Sequence, residues 1–248
     1  MVYERMVIVI KREGHSHTEF CPHGSGDDVE LMIQKAIKLG FEEYSITEHA
    51  PLPEGLADKY AGKTTGLTEA SMAAADLDAY FQKANQMKAK YADQIKINIG
   101  FEVDFLPDFV DWTRDFLNEY GPRTTDNILS YFQTVLASVN ADLGPYTPNR
   151  IGHMTLVKKF QDYFGLDRNF SENNLRLVDQ ILKAVSGQHR ELDLNAAGLY
   201  KPYCNEQYPS YSVIQMAKSL NIPFVYGSDA HSIAEVGQGY NGVISLVE

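Results

Sequence analysis

Short apolar runs alternate along this chain with longer segments in which apolar residues recur at helical spacing. Between Val29 and Leu39 the apolar positions lie close to a helical period, and Gly40 follows as a stop signal. Helices are predicted over Asp27–Leu39, Thr68–Tyr91, Asp108–Tyr120, Tyr131–Asp142, Ser171–Gly187 and Pro209–Leu220. Strands are predicted over Met6–Lys11 (continuing toward His15), Tyr44–Thr47, Ile95–Phe101, Asn127–Ser130, Arg150–Met154, Glu191–Asn195 and Pro223–Tyr226.

The order of these elements predicts the fold. A strand followed by a helix, repeated in series, indicates a parallel barrel with its helices outside. The polar, Gly-rich segment from Ala57 to Gly66 predicts a loop with the character of a flap over a site. Because no repeat, low-complexity tract or linker divides the chain, we expect one domain over residues 1–248.

Composition narrows the possible functions. With 248 residues, 44% of them hydrophobic and 22% charged, the chain is typical of a globular protein. A formal net charge of −11 leaves no electrostatic footprint for nucleic acid or an anionic membrane. Cys21 and Cys204 form no CxxC pair, and the apolar run Met6–Ile10 is too short for a signal peptide. We expect a soluble cytoplasmic protein whose oligomeric state stays open.

Histidines and carboxylates stand where the predicted strands end. The candidate ligands are His15, His17, His23, His49, Glu102, His153, Asp229 and His231. Barrel enzymes build their sites at this face, so these side chains should converge. Imidazole and carboxylate suit zinc, manganese or iron, and the set exceeds the needs of one ion. The pattern predicts a multinuclear metal hydrolase.

Each candidate also has an ordinary interpretation. His15 and His17 are two positions apart, so an extended chain directs both to one face, although either could be a surface histidine. Asp229 and His231 repeat that spacing, and an aspartate there could instead cap a helix. Glu102 is costly to bury without a cation, which a salt bridge could equally supply.

Several neighbours of these residues have secondary roles. Asp104 is the second choice for the position of Glu102, and Glu48 is placed to orient an imidazole. Cys21 is expected to be a bystander, because a soft thiolate is not required beside so many imidazoles. His189, at a predicted helix end, is left out of the set, since it can interact with the helix dipole.

Three motifs resemble a known family. They are Gly-His-Ser-His-Thr-Glu-Phe-Cys-Pro-His-Gly (14–24), Thr-Glu-His-Ala-Pro-Leu-Pro (47–53) and Tyr-Gly-Ser-Asp-Ala-His (226–231). The ordered series resembles the polymerase and histidinol phosphatase (PHP) superfamily over nearly the whole chain, and more narrowly its stand-alone histidinol-phosphate phosphatase branch. The resemblance implies an α/β fold, a distorted (β/α)7 TIM-like barrel. Its metal site would lie at the C-terminal face of the strands and hold two or three divalent ions (Zn, Mn or Fe).

The resemblance also implies roles for individual residues. One ion would bind His15, His17, Glu102 and Asp229; a second would share Glu102 and add His153; a third would bind His23, His49 and His231. Asp229, Glu102 and His231 would be catalytic. Arg150 and Lys201 would bind the phosphate of the substrate, although each could be an ordinary charge of the protein.

The implied reaction is hydrolysis of L-histidinol phosphate to L-histidinol and phosphate in histidine biosynthesis. A metal-bridging hydroxide would attack phosphorus, and a metal-bound water or Asp229 would protonate the leaving alkoxide. Alternatives are another PHP-type phosphoesterase, acting on a nucleotide or sugar phosphate, and a degenerate non-catalytic metal-binding barrel.

One departure from the family pattern favours the degenerate alternative. The family places a histidine after the fourth strand, where this chain has Tyr131-Phe132-Gln133. Either that ligand is lost or a flexible segment after Ser130 is omitted from the sequence. We favour omission, because a strand joined directly to a helix without turn residues is poor chain geometry.

Overall fold

The fold is described from a computed structural model that covers residues 10–59, 69–131, 135–165 and 167–248. The strands in these ranges are β1 Arg12–Glu13, β2 Glu43–His49, β3 Lys96–Phe105, β4 Ile128–Tyr131, β5 Arg150–Ile151, β6 Glu191–Asn195 and β7 Phe224–Gly227. The α-helices are α1 Val29–Lys38, α2 Leu56–Lys59, α3 Leu77–Lys90, α4 Val110–Tyr120, α5 Val135–Asn140, α6 Glu172–Gly187, α7 Tyr211–Ser219 and α8 Tyr240–Ile244. Turns of 3-10 helix lie at Ala74–Asp76, Pro107–Phe109, Gly121–Arg123, Leu156–Phe160 and Ala197–Tyr200.

All of these strands belong to one parallel sheet, in which each strand pairs with its neighbour in the sequence, from β1 to β7. The chain beyond β1 also contacts the chain beyond β7. His17 N donates to Ala230 O at 2.9 Å, and Asp229 N donates to the His15 carbonyl at 3.0 Å. The α/β class is therefore confirmed, and the C-terminal ends of the first and last strands lie side by side.

Side chains along β3 point alternately to the helix layer and to the inner face of the sheet. Ile97, Ile99 and Phe101 are buried, and the Phe101 ring packs on aromatic rings of α3 and α4. The intervening positions carry polar or small residues, including Gly100 and Glu102. A Cβ on Gly100 would lie 1.7 Å from the Asp126 carbonyl oxygen, so only glycine permits this close approach of two chains. The inner face of the sheet is consequently polar and tightly packed.

The outer helices are stabilised by local caps and by one apolar face each. The Asp28 side chain accepts a hydrogen bond from Glu30 N at 2.7 Å and begins α1. Ser171 accepts from Asn174 N at 3.3 Å and begins α6, whose buried face includes Ile181 and Leu182. Their inward faces pack over the sheet and leave the strand ends available for a site.

Several predicted boundaries were wrong. The predicted helix Thr68–Tyr91 begins only at Leu77. Before it, the Glu69 carbonyl accepts a hydrogen bond from His23, and Met72 is buried in the core. Strand β3 continues past Phe101 to Phe105, so Glu102 lies inside a strand. Helices α2 and α8 were not predicted.

Other predictions fall partly outside the described ranges. Of the predicted strand Met6–Lys11, residues 6–9 are outside them, and strand β1 begins later, at Arg12. Residues 60–66 of the predicted flap are also outside. Among the described residues, no helix combines the length and apolar character needed to cross a bilayer.

Candidate metal centre

The candidate ligands converge at the C-terminal ends of the strands. His49 is the last residue of β2 and lies in register with Glu102 of β3. His15 and His17 follow β1, His153 follows β5, and Asp229 and His231 follow β7. Because parallel strands bring their C-terminal ends to one edge, residues more than 200 positions apart become neighbours.

Glu102 is at the centre of the first group of ligand atoms. His15 Nε2 lies 3.2 Å from Glu102 Oε2, and His17 Nε2 lies 3.5 Å from the same oxygen. His17 Nε2 is also 3.2 Å from Asp229 Oδ1. Two atoms bound to one tetrahedral zinc ion at its usual bond lengths stand about 3.3–3.4 Å apart. The separations therefore match the edges of a metal coordination shell.

The two oxygens of Glu102 face different histidines. Oε1 lies 2.7 Å from His153 Nε2, whereas Oε2 lies 3.2 Å from His49 Nδ1. A carboxylate with imidazoles on both oxygens is suited to bridge two cations. Oε1 of Glu102 therefore faces His153, whereas Oε2 faces His49 together with His15 and His17.

His23 and His231 belong to the third group, and their geometry suits a cation. His23 Nδ1 donates to the Glu69 carbonyl at 2.7 Å, and His231 Nδ1 donates to the Asp229 carbonyl at 2.9 Å. A carbonyl oxygen only accepts, so both Nδ1 atoms carry hydrogen, and on a neutral ring that tautomer leaves a lone pair at Nε2. These two Nε2 atoms face each other at 3.2 Å. Opposed lone pairs repel unless a positive charge lies between them.

His49 supplies a second indication of a cation. Its Nε2 atom is buried and has no hydrogen-bond partner among the described residues. A buried polar atom without a partner costs free energy, which a bound metal ion would recover. The residues present therefore fit divalent metals.

Carboxylates behind the histidines orient the rings. His15 Nδ1 lies 2.8 Å from Asp193 Oδ2, and His17 Nδ1 lies 3.3 Å from Glu48 Oε1. Each contact directs the opposite nitrogen, Nε2, toward the centre. Asn195 Nδ2 donates to Asp193 Oδ2 at 3.0 Å and to Asp229 Oδ2 at 3.2 Å.

The role of Glu48 in orienting an imidazole was predicted, although it orients His17 rather than its neighbour His49. Asp193 and Asn195 were missed. Their signal was present in the sequence, because two polar residues alternate with leucines along the buried strand β6. That alternation indicates that the inner face of β6 carries polar side chains.

The pKa values show how strongly the centre demands positive charge. Burial acts to raise the pKa of Glu102, but His49, His15 and other nearby imidazoles overcome it and hold that pKa well below its ordinary value. Burial opposes protonation of His17, yet neighbouring carboxylates raise its pKa to about 9. Burial and the neighbouring cation at His17 lower the pKa of His49 to about 3. Protons on some imidazoles thus balance the carboxylates, a role that divalent ions can take.

Cys21 lies closer to the centre than expected of a bystander. Its sulfur and ligand atoms of His17, His49 and His231 all lie within 4.8 Å of one another. Burial and the charge of Glu48 raise the pKa of this thiol to about 12, so it is neutral without a metal. That Cys21 is not a ligand stays a prediction.

The assignment of Arg150 to phosphate binding was wrong. Its side chain is fully buried, and all three of its nitrogens have protein acceptors. Nε donates to Glu191 at 2.9 Å, Nη2 donates to Asp126 at 2.7 Å, and Nη1 donates to the Gly14 carbonyl. Arg150 is the first residue of β5, at the opposite end of the strand from His153, and there it neutralises two carboxylates.

A cavity of about 770 Å³ opens over the centre. Lys201 is half-buried and lines this cavity together with Lys159, which sequence reasoning did not single out. Apolar side chains of Met154, Leu156 and Phe160 form part of its wall. His189 lies elsewhere, exposed at the end of α6.

A parallel α/β sheet with histidines and carboxylates gathered at the strand ends defines a metal-dependent class of domain. Residues 13–197 match the PHP domain family, and residues 212–245 match the PHP-associated family. The chain belongs to the PHP family.

Particular relatives are histidinol-phosphatases. The histidinol-phosphatase of Bacillus subtilis (strain 168) is 36% identical, over 94% of this chain and 98% of that protein. A Listeria monocytogenes crystal structure, assigned as a histidinol phosphatase, superposes with a TM-score of 0.90 at 45% identity, covering 94% of this chain and 99% of that one. Lactococcus lactis histidinol phosphate phosphatase, solved with zinc, L-histidinol and phosphate, has the same fold, with a TM-score of 0.70 at 19% identity over 96% and 94% of the two chains.

The Bacillus comparison spans 270 residues, more than the 248 of this chain, so that relative has residues without counterparts here. Strand β4 ends at Tyr131, and residues 132–134 lie outside the described ranges.

Proposed function

We propose that this chain is a metal-dependent histidinol-phosphatase, which hydrolyses L-histidinol phosphate to L-histidinol and phosphate in histidine biosynthesis. The relatives support the substrate. The observation that supports a metal-dependent reaction is the pair of Nε2 atoms of His23 and His231, which face each other at 3.2 Å near buried carboxylates.

We further propose that the centre holds two or three divalent ions, drawn from zinc, manganese and iron. One group of ligands is His15, His17, Glu102 and Asp229; a second shares Glu102 and adds His153; a third is His23, His49 and His231. When bound, such ions lower the pKa of a water molecule and neutralise the oxygens of a phosphate group.

The residues of the chain orient the reactants. Lys201 lines the cavity, which supports a contact between its ammonium group and the phosphate oxygens. Burial acts to raise the pKa of Asp229, but His15 and His17 overcome it and hold that pKa well below its ordinary value. Asp229 is therefore ionised, as a metal ligand needs to be, and its carboxylate is a poor proton donor to the leaving alkoxide.

Three broader proposals concern the protein as a whole. The hydrogen bonds between the chain beyond β1 and beyond β7 support closure of the sheet into a distorted (β/α)7 barrel. Because β7 lies in the second matched family segment and pairs with β6 of the first, one domain over 1–248 is supported. The free state of both cysteines supports a reducing cytoplasm.

The test is phosphate release from L-histidinol phosphate by protein reloaded with zinc or manganese, compared with nucleotide and sugar monophosphates and one diester. A strong preference for L-histidinol phosphate is expected. Preference for another ester would retain the metal chemistry but discard the substrate. Absence of any release, with metals bound, would favour the non-catalytic alternative.

A further inference from the structure

Asp104 is a cavity carboxylate to which the proposed chemistry gives no role. It lies two residues beyond Glu102 on β3, so both side chains share the inner face of the sheet. Asp104 is half-buried and lines the cavity, one strand repeat closer to its mouth than Glu102. It is therefore placed to meet the part of a substrate that extends outward from the metal centre.

The cavity lining carries charges of both signs. Its lysines, Lys159 and Lys201, follow β5 and β6, whereas Asp104 is on β3, three places away from β6 in the sheet order. A ligand with an anionic group and a nearby cationic group would complement this arrangement.

The substrate of the proposed function, on which this inference rests, has both groups. Its phosphate carries negative charge, and its carbon chain carries a primary ammonium. An ammonium that leaves water for a half-buried wall needs an acceptor. We propose that the Asp104 carboxylate binds the substrate ammonium and makes Asp104 a specificity-determining residue.

The other carboxylates of the cavity have different tasks. Glu102 and Asp229 belong to the proposed metal ligands. Glu235 also lines the cavity, but its Oε2 accepts a hydrogen bond from the backbone N–H of His231 at 2.7 Å, which braces that ligand. Asp104 lies in register with Ser130 of β4, whereas Glu102 is the carboxylate toward which His15 and His17 direct Nε2.

The experiment compares Asp104→Asn with the wild type on two monoesters, both enzymes loaded with the same metal. L-Histidinol phosphate has the ammonium, and p-nitrophenyl phosphate lacks it. The KM for L-histidinol phosphate should rise about 10- to 100-fold, the range of a hydrogen bond to a charged group. The KM for p-nitrophenyl phosphate should stay within about twofold, and inhibition by L-histidinol should weaken in parallel with the first KM.

Asp108→Asn is the matched control. Asp108 has the same side chain four residues further on, but it is nearly half exposed (46%) and pairs with Lys59 at 3.1 Å. Both KM values should be unchanged in this variant. Asp104→Glu keeps the charge and should retain most of the preference, which also supplies a folded variant if Asp104→Asn is unstable.

Two results would overturn the inference. An equal loss on both esters would show that Asp104 acts on the chemistry or the fold. Fewer metal ions per chain in Asp104→Asn, measured by elemental analysis, would make Asp104 a metal ligand. Failure of the proposed function would give a different result, because the wild type would then hydrolyse p-nitrophenyl phosphate but not L-histidinol phosphate. That result would also refute the role of Asp104.

Discussion

Replacing Arg150 with methionine tests whether this arginine stabilises the fold or binds phosphate. Methionine retains the apolar stem but removes the guanidinium. Arg150 has no exposed surface, and its loss leaves Asp126 and Glu191 beside each other with side chains only 9% and 16% exposed. Both carboxylates would then be largely desolvated without their main cation.

The expected cost follows from these contacts. Removing one partner of a buried ion pair typically destabilises a protein by about 3–5 kcal/mol. Arg12 Nη2 also lies 2.6 Å from Asp126 and its Nη1 lies 3.9 Å from Glu191, so part of the neutralisation remains. We expect a loss of about 3 kcal/mol, a large share of the roughly 5–15 kcal/mol that holds a typical domain folded.

The assay is urea unfolding of the metal-loaded protein, paired with steady-state kinetics on the folded variant. Arg150→Met should lower the free energy of unfolding while leaving KM within about twofold of wild type. Arg12→Met is the matched control from the same network. Its side chain is 25% exposed, so we expect a loss of only about 1 kcal/mol. A loss below about 1 kcal/mol for Arg150→Met, with a large rise in KM, would refute the reasoning and restore a phosphate role.

The remaining predictions concern a carboxylate, a lysine and a glycine. Burial acts to raise the pKa of Asp126, but two arginines overcome it and hold that pKa below its usual 3.8. The ionised Asp126 side chain therefore stabilises the fold above about pH 4, and this stabilisation is lost as the pH falls through the lowered pKa of the folded state. The free energies of urea unfolding of wild type and Asp126→Asn should consequently converge in acid. Lys201→Met should raise KM for phosphate monoesters about tenfold with kcat less affected, whereas the exposed Lys218→Met should change neither; a loss confined to kcat would contradict this. Gly100→Ala should prevent folding, seen by circular dichroism, because its Cβ would meet the Asp126 carbonyl at 1.7 Å, whereas Gly187→Ala, with nothing within 4 Å, should fold normally.

Local spacing along the sequence was enough to predict the class of the fold and the group of candidate residues that lie together at the strand ends. Strands and helices follow from the period of apolar residues, which is a local property. The spacing of His15 and His17 predicted that both side chains face one way, because two residues span one strand repeat. Asp229 has the same spacing from His231, but its backbone is left-handed (φ 55°), which the spacing did not indicate. Since parallel strands share an edge, their convergence followed from the strand order alone.

Only the tertiary structure decided how these side chains are used. Whether Arg150 points to the cavity or to Asp126 depends on where β5 begins and on its neighbours β4 and β6. The partner of His15 is Asp193, 178 residues away, and that of His231 is His23, 208 residues away.

Those partners set which nitrogen carries hydrogen, and therefore which nitrogen is available to a metal. Sheet register and the approach of the first and last strands are cooperative, non-local properties, so no local pattern encodes them. The sequence by itself determined which residues meet at the strand ends. The long-range contacts of the folded chain decided which of them face the metal centre, which orient another side chain and which stabilise the fold.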